Sequence, residues 1–181
     1  MVGTKLTELK VEISKYIGIP YFINLPPVKD QSENVLVGKG TAKEIALKTV
    51  EYANKENIKL INFTSRQIYN FQKKHHLGID CSGLAVNLLN FYFGTSLNAR
   101  RTSANILTSP PLSIPVSISA IQTGDLIRQK DGHHLLFITE KINHTIFYVD
   151  SSRHGRGVHY GEIDIIKDHD KFSQGIFRIN Q

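Results

Sequence analysis

Along the first half of the chain, apolar residues recur at helical spacing, and along the second half they gather into short runs. Leu6, Leu9, Ile13 and Tyr16 are three and four positions apart, which predicts a short amphipathic helix. Thr41-Ala42-Lys43-Glu44 has the form of a capping box and opens a second helix carrying Ile45, Ala46, Thr49, Val50 and Ala53. A second box, Thr64-Ser65-Arg66-Gln67, precedes Ile68 and Phe71. Asp80 then stands before Leu84, Leu88, Phe91 and Tyr92, in a helix that ends near Gly94. Beyond Pro115 the period shortens. Leu126-Ile127, His134 to Thr139, Thr145 to Val149, Gly157 to Tyr160 and Gly175 to Ile179 read as strands separated by turn residues. Two proline-bearing stretches, Pro20 to Asn34 with Pro26-Pro27 and Thr108 to Val116 with Pro110-Pro111, read as extended connections. Helices followed by an antiparallel meander make an α+β chain with about five or six strands.

Composition narrows the class. The 181 residues suit one domain of ordinary size, or a core with an extension. With 40% apolar and 21% charged residues, and no run near the ~20 apolar positions of a bilayer span, disordered, collagenous and membrane-spanning readings fall away. A single cysteine, Cys81, excludes an internal disulfide and a cysteine-rich zinc site. Lys5, Glu8, Lys10, Glu12 and Lys15 interrupt any apolar leader, so no secretory signal peptide is expected. The expected location is cytoplasmic, or exported by a route that reads no such signal, unless the chain is a mature fragment. The net charge of +6 is uneven: residues 1–74 hold 12 basic against 7 acidic side chains, and residues 75–181 hold 10 against 9. Dispersed lysines without interleaved aromatics or an arginine cluster read as a solvated face, which does not favour nucleic acid as a partner.

The chemistry concentrates at Gly78-Ile79-Asp80-Cys81-Ser82-Gly83-Leu84. The cysteine falls on the first turn of a predicted helix, where unpaired N–H groups and the helix dipole favour thiolate, the nucleophilic form. Gly83 allows another backbone or a substrate to approach closely. The competing reading is a buried cysteine acting as a small hydrophobe. A cysteine nucleophile needs a base, and the base an orienting group. His134, at a strand start after Gly132-His133, is the candidate base, with His133 expected on the opposite face. Asp150, closing Thr145 to Val149, is the candidate orienter; the alternative is that Asp150-Ser151-Ser152 is only a turn.

Asp80-Cys81-Ser82-Gly83-Leu84, Gly124-Asp125-Leu126-Ile127 with His134, and Asp150-Ser151-Ser152 with Gly157-Val158 together resemble the NlpC-type cysteine peptidases of bacterial cell walls. The resemblance covers roughly residues 64 to 179 and implies a papain-like core, with a cysteine-bearing helix packed on an antiparallel sheet. It implies amide hydrolysis in peptidoglycan stem peptides, often beside D-glutamate. Cys81 would attack, His134 shuttle the proton and Asp150 orient it, with the Cys81 backbone N–H holding the oxyanion. It also implies substrate contacts at Asp80 and Ser82 and at a tyrosine upstream, for which Tyr69 is the nearest candidate. The chain departs from the family in three places. Asp150 stands where histidine is common, and the hairpin through Glu140 to His144 is longer than expected. Tyr69 to His76 replaces a glycine-rich aromatic segment that Tyr16 to Tyr21 echoes from far upstream.

On this reading residues 1–63 form a helical extension of unknown role packed on the core, and residues 64–181 form the hydrolase core. Val37-Gly38-Lys39-Gly40-Thr41 lacks the spacing of a phosphate-binding loop and reads as a turn before a capped helix. His144, His154, His159 and His169 are scattered without metal-ligand spacing, so no metal and no cofactor are expected. Two other functions stay open: deamidation or acyl transfer on a protein or lipid by the same three residues, and a catalytically silent module that binds a polyanion through the basic N-terminal half.

Overall fold

The three capping signals act as the sequence predicts. In the computed structural model, which describes residues 2–22 and 32–180, α2 (Ala42–Lys55) starts at Thr41; its hydroxyl accepts from the Glu44 N–H, and the Glu44 carboxylate accepts from the Thr41 N–H. Thr64 and Gln67 repeat that exchange at α3 (Ser65–Lys74). The Asp80 carboxylate accepts the Gly83 N–H at 2.6 Å to open α4 (Cys81–Phe93), which stops at Gly94 in the left-handed conformation. Each cap satisfies backbone donors that the first helical turn leaves free. Ahead of these, α1 (Val2–Ser14) turns Leu9 and Ile13 fully inward. Pro26-Pro27 and Lys29 lie outside the described residues.

The strands are β1 (Ser113–Val116), β2 (Leu126–Gln129), β3 (His134–Ile142), β4 (Thr145–Ser152), β5 (Gly157–Asp164) and β6 (Ile176–Ile179). They form one open antiparallel sheet in the order β1-β6-β2-β3-β4-β5. The part of the second proline-bearing stretch that was expected only to connect becomes β1; as an edge strand it tolerates Pro115, which cannot donate to a ladder. The β3–β4 hairpin is long because its strands are long: only Asn143-His144 separates them, and a register shift between Ile138 and Glu140 accommodates the extra residue.

One face of the sheet packs on α4. Leu84, Leu88 and Leu89 join Leu126, Leu135, Phe137 and Val149, and the same cluster takes in Leu9, Ile13 and Ile45 from the N-terminal helices. The other face gathers Ile127, Leu136, Ile138, Ile146, Ile163 and Phe172. At the sheet's edge of this core, fully buried Asp125 accepts from Arg178 Nε and Nη2, both at 2.8 Å, and from the Gln122 N–H. The Gly-Asp-Leu segment thus pins the start of β2 to β6.

A short N-terminal stretch is stitched across the molecule. Gly18 N–H donates to the Val158 carbonyl, and Val158 N–H returns a bond to Ile19. Ile79 N–H donates to Pro20 and Phe22 N–H to Ile79, a parallel bridge that sets Tyr21 beside Ile79. Gly78 is required there, since a Cβ would lie 2.5 Å from the Pro20 oxygen. Among the described residues, no helix is long and apolar enough to cross a membrane.

Candidate active site

Cys81 is the first residue of α4, with its side chain buried to 6% exposure. The approach that Gly83 permits is by backbone: the Gly38 carbonyl accepts the Asp80 N–H at 3.0 Å, and a Cβ on Gly83 would meet that oxygen at 2.4 Å. The turn through Gly38 brings Lys39 onto the start of the helix. Its ammonium pairs with Asp80 at 2.8 Å and donates to the Ser82 hydroxyl, which in turn donates to Asp80. Asp80 and Ser82 are therefore engaged with each other and with Lys39, on the wall of a cavity of about 390 Å³ that Cys81 also lines.

The sheet supplies the rest. His134 opens β3, and its Nε2 donates to Asp150 Oδ2 at 2.9 Å. A carboxylate accepts only, so the proton is on Nε2 and Nδ1 is the nitrogen left for Cys81, which lies close enough to act on the charge of the ring. Burial alone would lower the His134 pKa; the bond to Asp150 and the negative charges of Cys81 and Asp150 outweigh it and raise the value to about 9. The structure brings Cys81, His134 and Asp150 together, with the imidazole in the middle. His133, expected on the opposite face, instead lines the Cys81 cavity and the adjoining space beside His134. It precedes the strand in a helical conformation, and its carbonyl receives the Cys81 thiol at 3.9 Å.

A second histidine flanks the carboxylate. His159 faces Asp150 in the β4–β5 register, with Nδ1 3.0 Å from Asp150 Oδ1. No N–H lies along that line: Oδ1 has no hydrogen bond among the described residues, and His159 Nδ1 directs its proton to the Gly157 carbonyl at 3.2 Å. Its contribution to Asp150 is charge, available when His159 is protonated.

The tyrosine that shares a cavity with Cys81 is Tyr21, which the parallel bridge delivers. It lines the Cys81 cavity and the adjoining space beside His134. Burial raises its pKa, as do the negative charges of Cys81 and Asp80, against the opposing effect of Arg153. Its phenol therefore stays protonated as a donor. Tyr69, the candidate nearest in sequence, lines a neighbouring cavity together with Tyr21. Sequence reasoning missed Lys39, Tyr21 and His159 as members of the site. The echo in Tyr16 to Tyr21 and the glycine turn at Gly38 were the available signals. No family model matches the chain, and no curated protein matches it. Among the described residues, no group of three or more His, Cys, Asp or Glu is placed to hold a metal ion.

The arrangement can hold a thiolate beside an imidazolium, a nucleophile next to a proton donor. The donor is lost when His134 deprotonates, so the alkaline limb of a kcat/KM profile is expected at about pH 9. A limb near pH 6.5, the ordinary histidine value, would show that Asp150 and Cys81 do not hold the proton.

Proposed function

We propose that the protein is a cysteine hydrolase of papain-like, NlpC-type architecture that cleaves an amide bond in peptidoglycan stem peptides. The observation that carries the reading is the His134 ring held between Asp150 and Cys81, at the point where a cavity reaches the sulfur. Cys81 attacks the carbonyl, and the backbone N–H of Cys81, at the open end of α4, stabilises the oxyanion. His134 then protonates the departing amine, while Asp150 fixes the ring and offsets its charge. The order of the parts supports the family resemblance: a helix that begins at cysteine, packed on an antiparallel sheet that begins a strand at histidine.

Purified peptidoglycan digested with the wild-type protein is expected to release peptides with new amino termini, and the Cys81→Ala variant to release none. Equal release by both would remove the catalytic reading. The thioester trapped on Cys81 identifies the acyl group by mass spectrometry, and a muropeptide fragment is the expected adduct. A protein- or lipid-derived adduct would assign the same three residues to acyl transfer or deamidation.

A further inference from the structure

A cavity beside the site gathers basic side chains. It measures about 460 Å³, and Arg66, Lys73, Arg153 and Arg156 line it beside Tyr21 and Tyr69. The four cations come from two distant places. Arg66, Tyr69 and Lys73 follow one face of α3 at spacings of three and four, and Arg153 and Arg156 sit on the turn between β4 and β5. Among the described residues, no carboxylate lines the cavity.

Elsewhere part of the basic surface is paired with acid, while among the described residues dispersed cations such as Lys43 and Lys59 are not, so what sets the cavity apart is that four cations converge on it. Lys10, Lys15, Lys48, Lys55, Lys74, Lys167 and Lys171 each stand within ion-pair distance of a carboxylate. None of the four cavity cations has such a partner among the described residues. Four like charges facing one concavity repel one another, and their summed potential concentrates anions there. Arginine presents a planar fork that matches an oxyanion with two hydrogen bonds. Tyr21 joins this cavity to the one at Cys81, so a group held among the arginines is attached close to the bond the sulfur attacks.

We infer that the basic cavity is a substrate subsite for a dianionic group, a phosphate or a pair of carboxylates carried near the scissile amide. This deepens the hydrolase reading and rests on it for the word substrate; the binding itself does not depend on the cysteine.

The test separates the two. Pyrophosphate and citrate are titrated by calorimetry into the full chain and into its Cys81→Ala variant at low salt. One or both anions are expected to bind, equally in the two proteins, with affinity falling as salt rises. Tighter pyrophosphate assigns phosphate to the subsite, and tighter citrate assigns carboxylates. Arg153→Gln and Arg66→Gln, exposed positions from the two contributing elements, should each weaken binding about tenfold. Lys43→Gln removes the same charge from α2, away from the cavity, and should leave binding unchanged. Absence of binding by either anion, or equal weakening by Lys43→Gln, overturns the subsite. Anion binding by a protein that digests no peptidoglycan would keep the subsite and overturn the hydrolase reading alone.

Discussion

His134→Gln is expected to lower kcat/KM for amide cleavage by about a thousandfold, with the fold intact. Glutamine can still donate to Asp150, so the carboxylate is not left bare in a buried place, but nothing then moves a proton between sulfur and leaving amine. The same change should slow alkylation of Cys81 by iodoacetamide at neutral pH, because the positive charge beside the sulfur is gone. A stability measurement gives an independent check. Histidine titrates near 6.5 in an unfolded chain and at about 9 here, so its bound proton stabilises the fold fully below about pH 6.5 and that contribution is lost as pH rises through about 9. Urea midpoints measured from pH 6 to pH 10 should fall across this window in the wild type and lack that part of the slope in His134→Gln. Undiminished turnover by the variant would end the assignment of His134 as the proton carrier.

Arg178→Ala is expected to destabilise the protein by about 3 kcal/mol while leaving the reactivity of Cys81 unchanged at temperatures where the variant is folded. Asp125 is 0% exposed, and among the described residues two of the three hydrogen bonds to its carboxylate come from Arg178. Removing the guanidinium leaves a buried carboxylate with the Gln122 N–H alone. The cost is chiefly that of the stranded charge, which a double variant shows: Asp125→Asn added to Arg178→Ala should recover part of the loss. Thermal or urea unfolding reads both. A loss below about 1 kcal/mol, the scale of an exposed pair, would mean that water reaches Asp125 after the change.

Local signals carried most of the helical half into the structure. Thr41 with Glu44, Thr64 with Gln67, and Asp80 with the Gly83 amide are decided within three residues, so the sequence alone locates the helix starts and therefore the place of Cys81. The strand bearing His134 was legible for a similar reason, a β-type run bounded by glycine. Less legible were features that depend on who lies alongside. Nothing near Pro115 announces a strand until β6 is there to pair with it. Tyr21 reaches the sulfur only through a bridge to Ile79, and Lys39 only because Gly83 has no side chain to keep the Gly38 carbonyl away. His159 meets Asp150 through the register of two strands, which the turn at Arg153 to Arg156 fixes and periodicity does not. The hairpin that looked too long in sequence contains two extended strands and a two-residue turn, a difference set by pairing partners.

The crossing of residues 18–22 between β5 and Ile79 means that one wall of the reactive groove is contributed from near the start of the chain and the opposite wall from its second half. Such a groove has no separable catalytic fragment. A protease that severed the polypeptide after Phe22 and released the earlier portion would take away both the phenol that lines the two neighbouring hollows and Leu9, Ile13 and Tyr16 from the core on which the cysteine's helix rests.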